Sequence, residues 1–438
     1  MKNLDEIIKQ KYLILDGAYG TEFQKLDVPP SAWGEYEGCW EYLNLSAAHL
    51  IEGVHLSYLE AGADIIKANS FGALPWVLDE FGLGSQTYEI NLEAAKIAKN
   101  CALKYEDRFV AASLGPGTKL PTLGHISFEE VEDGYFQAGI AHIDGGSDIF
   151  LLETCQDPLQ IKAALLGLQR AMSVREKKLP VMVSVTIETF GTMLVGTPIG
   201  VVAKTLEPFE LFSIGINCGL GPKEVRGYLQ ELSLSTTKPI SIHANAGLPE
   251  NVGGCTVYPM DKDEFRELEG SFFEIDGVAI LGGCCGTTPE HIKELKSSVA
   301  GKIPKPNRFS SIEPSLTSIF QESKLKQNIP PLLVAERTNA TGSKAFRELL
   351  LKEDFEGILD VAQGQVASGA HALDISVGFA GRDEESDLKK CVEMFNNKIS
   401  LPLMIDSTQP KALESALKRV GGKPIINSAN LEDGEGRF

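Results

Sequence analysis

From Tyr12 onward the chain alternates short apolar runs with longer stretches of helical spacing, and polar and glycine residues cluster just after each run. The first run, Tyr12-Leu13-Ile14-Leu15, passes into Asp16-Gly17-Ala18-Tyr19-Gly20-Thr21-Glu22. Ala47, Ile51, Val54 and Tyr58 then fall four, three and four residues apart, which predicts one apolar helix face. The second run, Asp64-Ile65-Ile66-Lys67, ends in Ala68-Asn69-Ser70-Phe71-Gly72, and a helical stretch over 91–105 follows. The third, 109–113, precedes Leu114-Gly115-Pro116-Gly117, and the fourth, 148–152, ends in Glu153-Thr154. The fifth, 181–185, enters Thr186-Ile187-Glu188. The sixth, 212–216, ends in Asn217-Cys218, and the seventh, 240–242, in His243-Ala244-Asn245-Ala246-Gly247. The eighth, 277–280, ends in Leu281-Gly282-Gly283-Cys284-Cys285-Gly286, before a helical stretch over 290–300.

Eight such alternations occupy about the length of one (β/α)8 TIM barrel. Barrel strands are covered on both faces, so they read as near-continuous apolar runs rather than alternating ones. An open doubly wound sheet is the alternative, and eight alternations favour closure. In a closed barrel all strand ends open on one face, where active sites lie. Asp16, Asn69, Glu153, Asn217, Cys218, Asn245, Cys284 and Cys285 are therefore expected around one mouth.

The texture changes after residue 300. Residues 301–331 carry Lys302-Ile303-Pro304-Lys305-Pro306 and Ile329-Pro330-Pro331, which predicts a linker with a short helix over 316–322. A second α/β pattern follows. Strands are expected at 332–335, 372–375, 403–405 and 424–426, with helices over 343–351 and 354–368. This is the first part of a second, incomplete (β/α)8 barrel. Half a barrel leaves two open sheet edges, so the sequence is expected to be a fragment or to need a partner there. The expected domains are 1–305, a linker 306–331, and 332–438.

Composition narrows the classes. Apolar residues make up 43% and charged residues 23%, ordinary values for a globular chain. The net charge of −19 argues against a phosphate-tracking surface and so against nucleic-acid binding. The acidic start, Met1-Lys2-Asn3-Leu4-Asp5-Glu6, predicts no secretory leader, and no apolar run is long enough to span a membrane. Eight cysteines in so long a chain do not form a secreted disulfide framework, which points to the cytoplasm.

Three of those cysteines carry the candidate chemistry. Taken singly, a cysteine reads as a small buried hydrophobe, and Cys39, Cys101, Cys155, Cys255 and Cys391 are expected to be that. Cys284 and Cys285 instead sit in a glycine-bounded turn, where Gly282, Gly283 and Gly286 give the backbone freedom to turn both thiols inward. Cys218 stands at a matching strand end. Zinc at a catalytic site takes three protein ligands and leaves a fourth position open. A vicinal disulfide is the other reading, disfavoured in a reducing compartment. Three thiolates make an electron-rich centre, suited to holding a substrate thiol as a thiolate nucleophile. The metal then replaces a general base, and no catalytic histidine is required. The backbone N–H groups of Gly17-Ala18-Tyr19-Gly20-Thr21 suit a carboxylate. Asp16 and Glu153 suit an ammonium, and Asn69 and Asn217 can orient either. Helix capping is the alternative for both acids. Thiol, carboxylate and ammonium together describe an amino-acid thiol.

Asp16-Gly17-Ala18-Tyr19-Gly20-Thr21, Asn69-Ser70-Phe71-Gly72, Glu153-Thr154, Gly215-Ile216-Asn217-Cys218 and Gly282-Gly283-Cys284-Cys285-Gly286 resemble the homocysteine S-methyltransferase family. The likeness covers residues 1 to about 305. It implies that Cys218, Cys284 and Cys285 ligate Zn2+ and that homocysteine sulfur takes the open position. Glu336-Arg337-Thr338-Asn339-Ala340-Thr341-Gly342 resembles the opening motif of the folate-binding domain of cobalamin-dependent methionine synthases. That resemblance implies that Glu336, Asn339, Asp374, Asp406 and Asn427 hydrogen-bond a pterin ring. Jointly they imply methionine formation from homocysteine. The donor would be methylcobalamin on another module or chain, recharged by 5-methyltetrahydrofolate. Betaine or S-methylmethionine as donor, and a non-catalytic thiol- or zinc-binding fragment, are the alternatives.

Overall fold

The computed structural model describes residues 4–429 and 434. Eight parallel strands form the first sheet: β1 (Leu13–Ile14), β2 (Ile65–Lys67), β3 (Phe109–Leu114), β4 (Ile149–Cys155), β5 (Val181–Val185), β6 (Ser213–Asn217), β7 (Ile240–Ala244) and β8 (Val278–Gly283). Their order runs from β1 to β8 and then back in sequence to β2. A parallel bridge between Leu15 and Ile65 joins the two ends and closes the ring. The eight expected strands are all present, with ends that differ by at most three residues.

Side-chain alternation sorts these strands into two apolar layers. Ile66, Val110, Phe150, Val183, Ile214, Ile242 and Leu281 face outward into the core shared with the helices. Leu13, Ile65, Phe109, Ile149, Met182 and Ile280 fill the barrel's lower interior, which Leu4 and Ile7 of the first helix plug from below. Among the flanking helices, Ala48–Ala61 presents the predicted face, with Ile51, Val54 and Tyr58 buried. Polar residues occupy the upper interior, where the strands end.

Strand β4 departs from a plain ladder. Its register to β5 shifts between Leu152 and Cys155, and Thr154 has a left-handed backbone (φ +59°). This bulge keeps Glu153 turned into the barrel while the chain leaves it.

The predicted helix over 316–322 is absent. Ser315–Thr317 and Glu322–Lys324 instead form an antiparallel hairpin. Ser318 Oγ accepts from the amides of Phe320 and Gln321, each at 3.1 Å, which favours a turn over a helix. Thr317 and Lys423 exchange backbone hydrogen bonds at 3.1 and 2.9 Å, so a pairing about a hundred residues away in sequence decides the local structure.

A second, smaller parallel sheet holds β9 (Val334–Ala335), β10 (Ala372–Ile375), β11 (Leu403–Asp406) and β12 (Ile425–Asn427), in that order. Helices Lys344–Leu351, Phe355–Ala367, Glu384–Lys398 and Pro410–Leu417 accompany it, around a separate core that includes Phe346, Leu373 and Phe395. Side chains tie this part to the barrel. Lys162 donates to the carbonyls of Val420, at 2.8 Å, and Gly422, and Asn397 donates to Thr122 O at 2.7 Å. Arg419 pairs with Glu129 at 2.8 Å. Among the described residues, no helix is long and apolar enough to cross a membrane.

Candidate active site

The ends of β6 and β8 flank the end of β7, and β7 sets their spacing through its backbone. The Cys218 amide donates to His243 O at 3.1 Å, and the Cys284 amide donates to Ala244 O at 2.8 Å. The Ala246 amide donates to Cys285 O at 2.9 Å. Cys218 itself takes a left-handed conformation (φ +59°), uncommon for a residue with a Cβ. Of the three glycines around the cysteine pair, Gly286 has a positive φ (+81°), whereas Gly282 and Gly283 still belong to β8. A Cβ on Gly283 would stand 2.3 Å from Thr287 Oγ1, so its role is close packing. The expected backbone freedom therefore resides at Gly286.

These turns bring the three Sγ atoms within 4.8 Å of one another, with 3.7 Å between Cys218 and Cys285. Tetrahedral zinc with Zn–S of about 2.3 Å needs S···S separations of about 3.8 Å. The donor set fits zinc in number, softness and spacing. Shared hydrogen bonds with Cys218 and Cys284 favour the thiolate at Cys285, while the same contacts push Cys218 up. Cys39, Cys101, Cys155 and Cys391 are buried apart from this cluster, and burial raises each of their thiols. The side chain of Cys255 lies outside the described residues.

The thiols open on a cavity of about 470 Å³ whose wall includes Tyr19, Lys67, Asn69, Glu153, Cys218 and Cys285. Glu153 accepts from Ser113 Oγ, and burial raises its carboxyl against the opposing pull of Lys67. Asp16 stands behind the wall, fully buried. Its Oδ2 accepts from the Lys67 amide at 2.7 Å and from Tyr19 OH at 2.9 Å. Burial pushes its carboxyl up to about 6, with Lys67 pulling the other way. Tyr19 OH also bonds His55 Nδ1 at 2.7 Å.

Several expected contacts are already used within the protein. The Ala18 amide donates to Thr287 Oγ1 at 3.2 Å. Gly17 backs the cavity, where a Cβ would meet Tyr58 OH at 2.8 Å. Gly20 and Thr21 do line it. Asn69 donates to Trp40 O at 2.8 Å, pinning the loop that follows β2. Asn217 faces Thr154: its Oδ1 accepts from the Thr154 amide and its Nδ2 donates to Thr154 Oγ1, both at 2.8 Å. Its Nδ2 also lies 3.9 Å from Cys284 Sγ. Asn245 is buried, with its Oδ1 unpartnered.

Sequence reasoning passed over Lys67 and Tyr258. A lysine closing a strand that is otherwise wholly apolar was the available signal for the first. Tyr258 follows a hairpin, Glu250–Val252 with Cys255–Val257, packs over Gly286 and shares a hydrogen bond with Cys285.

At the second sheet, Asn339 Nδ2 donates to Asp374 Oδ2 at 3.1 Å and approaches Asp406 Oδ2 at 3.4 Å. Burial pushes the Asp374 carboxyl up to about 6 and raises Asp406 as well. Asn427 pairs in register with Asp406, and its carbonyl accepts from the Ser407 amide at 2.8 Å. Glu336 is exposed, close enough to act on both aspartates through its charge.

A closed parallel barrel with three thiols converging at its mouth defines the class: a TIM barrel bearing a candidate metal centre. The profile of the homocysteine S-methyltransferase family matches residues 13–299, and the chain belongs to that family. Residues 335–438 match the profile of pterin binding enzymes. The chain is 40% identical, over 99% of its length, to a "Methionine synthase" of Mycobacterium tuberculosis, and equally so to one of Mycobacterium leprae. It spans about 37% of the length of each of these relatives. Among solved structures, the oxidized form of the homocysteine methyltransferase MmuM from Escherichia coli superposes with a TM-score of 0.51 at 23% identity. That match covers 66% of this chain and 97% of the other, and shows a shared barrel fold.

Proposed function

We propose that this chain transfers a methyl group to homocysteine and so forms methionine. The meeting of Cys218, Cys284 and Cys285 at zinc-compatible distances, in a chain of this family, carries the reading. Zinc held by the three thiolates supplies a Lewis acid that keeps a substrate thiol ionised at neutral pH. The chain's own residues do the rest. Glu153 faces the cavity and receives the substrate ammonium. Asp16 acts from behind through Tyr19 and Lys67. The backbone turn over Gly17, Ala18, Tyr19 and Gly20 shapes the wall beside the carboxylate. Asn69 and Asn217 hold the loop after β2 and the Thr154 turn in place. With its proton gone, the homocysteine sulfur attacks the methyl carbon in line, and the bond from that carbon to its carrier breaks.

The pterin-binding match and the methionine synthase relatives support one donor over betaine or S-methylmethionine. That donor is methylcobalamin on another module or chain, recharged from 5-methyltetrahydrofolate. Glu336, Asn339, Asp374, Asp406 and Asn427 hold the pterin, whose ring presents several donors and acceptors to them. The working units are the barrel 1–305, the connection 306–331 and the pterin part 332–438. The cytoplasm suits the unbridged thiols.

Single Cys→Ser changes at 218, 284 and 285 test the reading. Zinc content by elemental analysis should fall well below one per chain, and methyl transfer from methylcobalamin should drop to background. Retention of both metal and transfer in any of the three variants sinks it. Assaying betaine and S-methylmethionine in parallel identifies the donor.

A further inference from the structure

Lys67 is a cation at the mouth for which the reading above names no substrate partner. It closes β2, and its side chain is 7% exposed, yet it lines the cavity together with Glu153 and the cysteines. Its Nζ lies 3.7 Å from Asp16 Oδ1 and 3.6 Å from Glu153 Oε2. Both distances allow charge pairing, and both exceed the 2.7–3.2 Å of an N–H···O hydrogen bond. Asp16 Oδ1 is buried and makes no hydrogen bond. The ammonium is thus held in position by two carboxylates without spending its three N–H donors on them. Burial works against its charge, and Glu153 and Asp16 more than restore it. On the cavity wall a fixed cation therefore stands beside a fixed anion, Glu153, next to the thiol cluster.

We propose that Lys67 is a specificity-determining residue that receives the α-carboxylate of the thiol substrate while Glu153 receives its α-ammonium. The site would then select amino-acid zwitterions among thiols by matching both charges. The amides of Gly20 and Thr21, which line the cavity, supply dipoles to the same carboxylate, and Lys67 supplies the full charge. Asp16, which cannot touch the substrate from behind the wall, serves as the counter-ion that keeps Lys67 aimed. This inference rests on the homocysteine reading and adds a partner for the carboxylate.

The test is calorimetric binding to the zinc-loaded chain and its K67M variant. Three ligands are compared: homocysteine, aminopropanethiol, which lacks the carboxylate, and mercaptobutyrate, which lacks the amine. Loss of a charge-assisted hydrogen bond should weaken homocysteine and mercaptobutyrate about 30-fold in K67M. Aminopropanethiol should bind as tightly as before, or more tightly. Equal weakening of all three ligands, or homocysteine binding that is unchanged or improved, overturns the proposal. Zinc content and thermal unfolding show whether K67M is folded. If it is not, K67R decides: with the charge kept, homocysteine should remain favoured over aminopropanethiol, and loss of that preference overturns the proposal. An unmodified chain that takes up zinc but binds no homocysteine refutes the proposed function instead. Unmodified binding with no selective change in the variants refutes only the role of Lys67.

Discussion

The two sheets of this molecule are built from the same strand-helix unit and differ in closure. In the first, the ring is complete, and polar residues from different strands meet across the mouth: Asp16 with Lys67, Thr154 with Asn217, Cys218 with Cys285. In the second, β9 and β12 form the edges among the described residues, and Leu333 and Ile426 are about half exposed. There the polar contacts run between neighbours in an open row, from Asn339 to Asp374 and Asp406. Closure converts a row of strand ends into a ring in which every strand has a neighbour on both sides. The first site is thereby fixed by the barrel itself, while the second depends on what its edges meet.

The largest expected effect separates the two cores. Phe150 in β4 and Phe395 in the helix Glu384–Lys398 are both fully buried, each in a different cluster. Replacing either by alanine should cost about 3–5 kcal/mol. Denaturation followed with zinc release should show Phe150→Ala losing metal early and Phe395→Ala keeping it. Early metal loss in both would mean that the two regions unfold as one.

A smaller effect compares the polar ties. Asn217→Ala leaves the Thr154 amide without its acceptor, which costs about 1–3 kcal/mol. It also removes a neighbour of Cys284, so zinc affinity should fall by about tenfold. Asn339→Ala should leave zinc affinity unchanged and weaken a pterin analogue. Competition with a chelator and fluorescence titration measure the two.

Acid response probes the second sheet through Asp374. Burial lifts the folded-state Asp374 carboxyl to about 6, above its ordinary value near 3.8. Between those values the folded chain binds more protons than the unfolded chain, so this group's contribution to stability falls as pH rises from about 4 to 6. Asp374→Asn should flatten that decline in urea midpoints measured across the window. An unchanged slope would place the titration elsewhere.

The smallest effect concerns the ties between the regions. Arg419→Ala removes a partly exposed pair with Glu129 and should cost about 0.5 kcal/mol. Hydrogen exchange in the 315–324 hairpin should quicken slightly, with none at the cysteine turns.

Much of the first barrel was legible in the sequence because its strands are buried on both faces, so local apolarity alone marks them. The cysteine cluster was legible for a related reason: each thiol sits just past an apolar run, and barrel geometry puts all such positions on one face. What escaped depends on distant partners. The hairpin at 315–324 is held by Lys423, and local spacing says nothing of that. Lys67 belongs to its strand by position and to the mouth by its carboxylate neighbours, Asp16 and Glu153, which lie some fifty and ninety residues away. Asn217 was expected to face the ligand, yet its amide satisfies the Thr154 bulge, a feature that strand periodicity does not announce.

The left-handed kink at Cys218 has a consequence for anyone who would graft this centre onto another barrel. Copying the cysteines at equivalent strand termini is insufficient, because an extended residue there would swing its sulfur away from the other two. The recipient scaffold must also import the awkward torsion and the carbonyl of His243 that clasps it. A design lacking them would carry the right ligands and still fail to capture the ion.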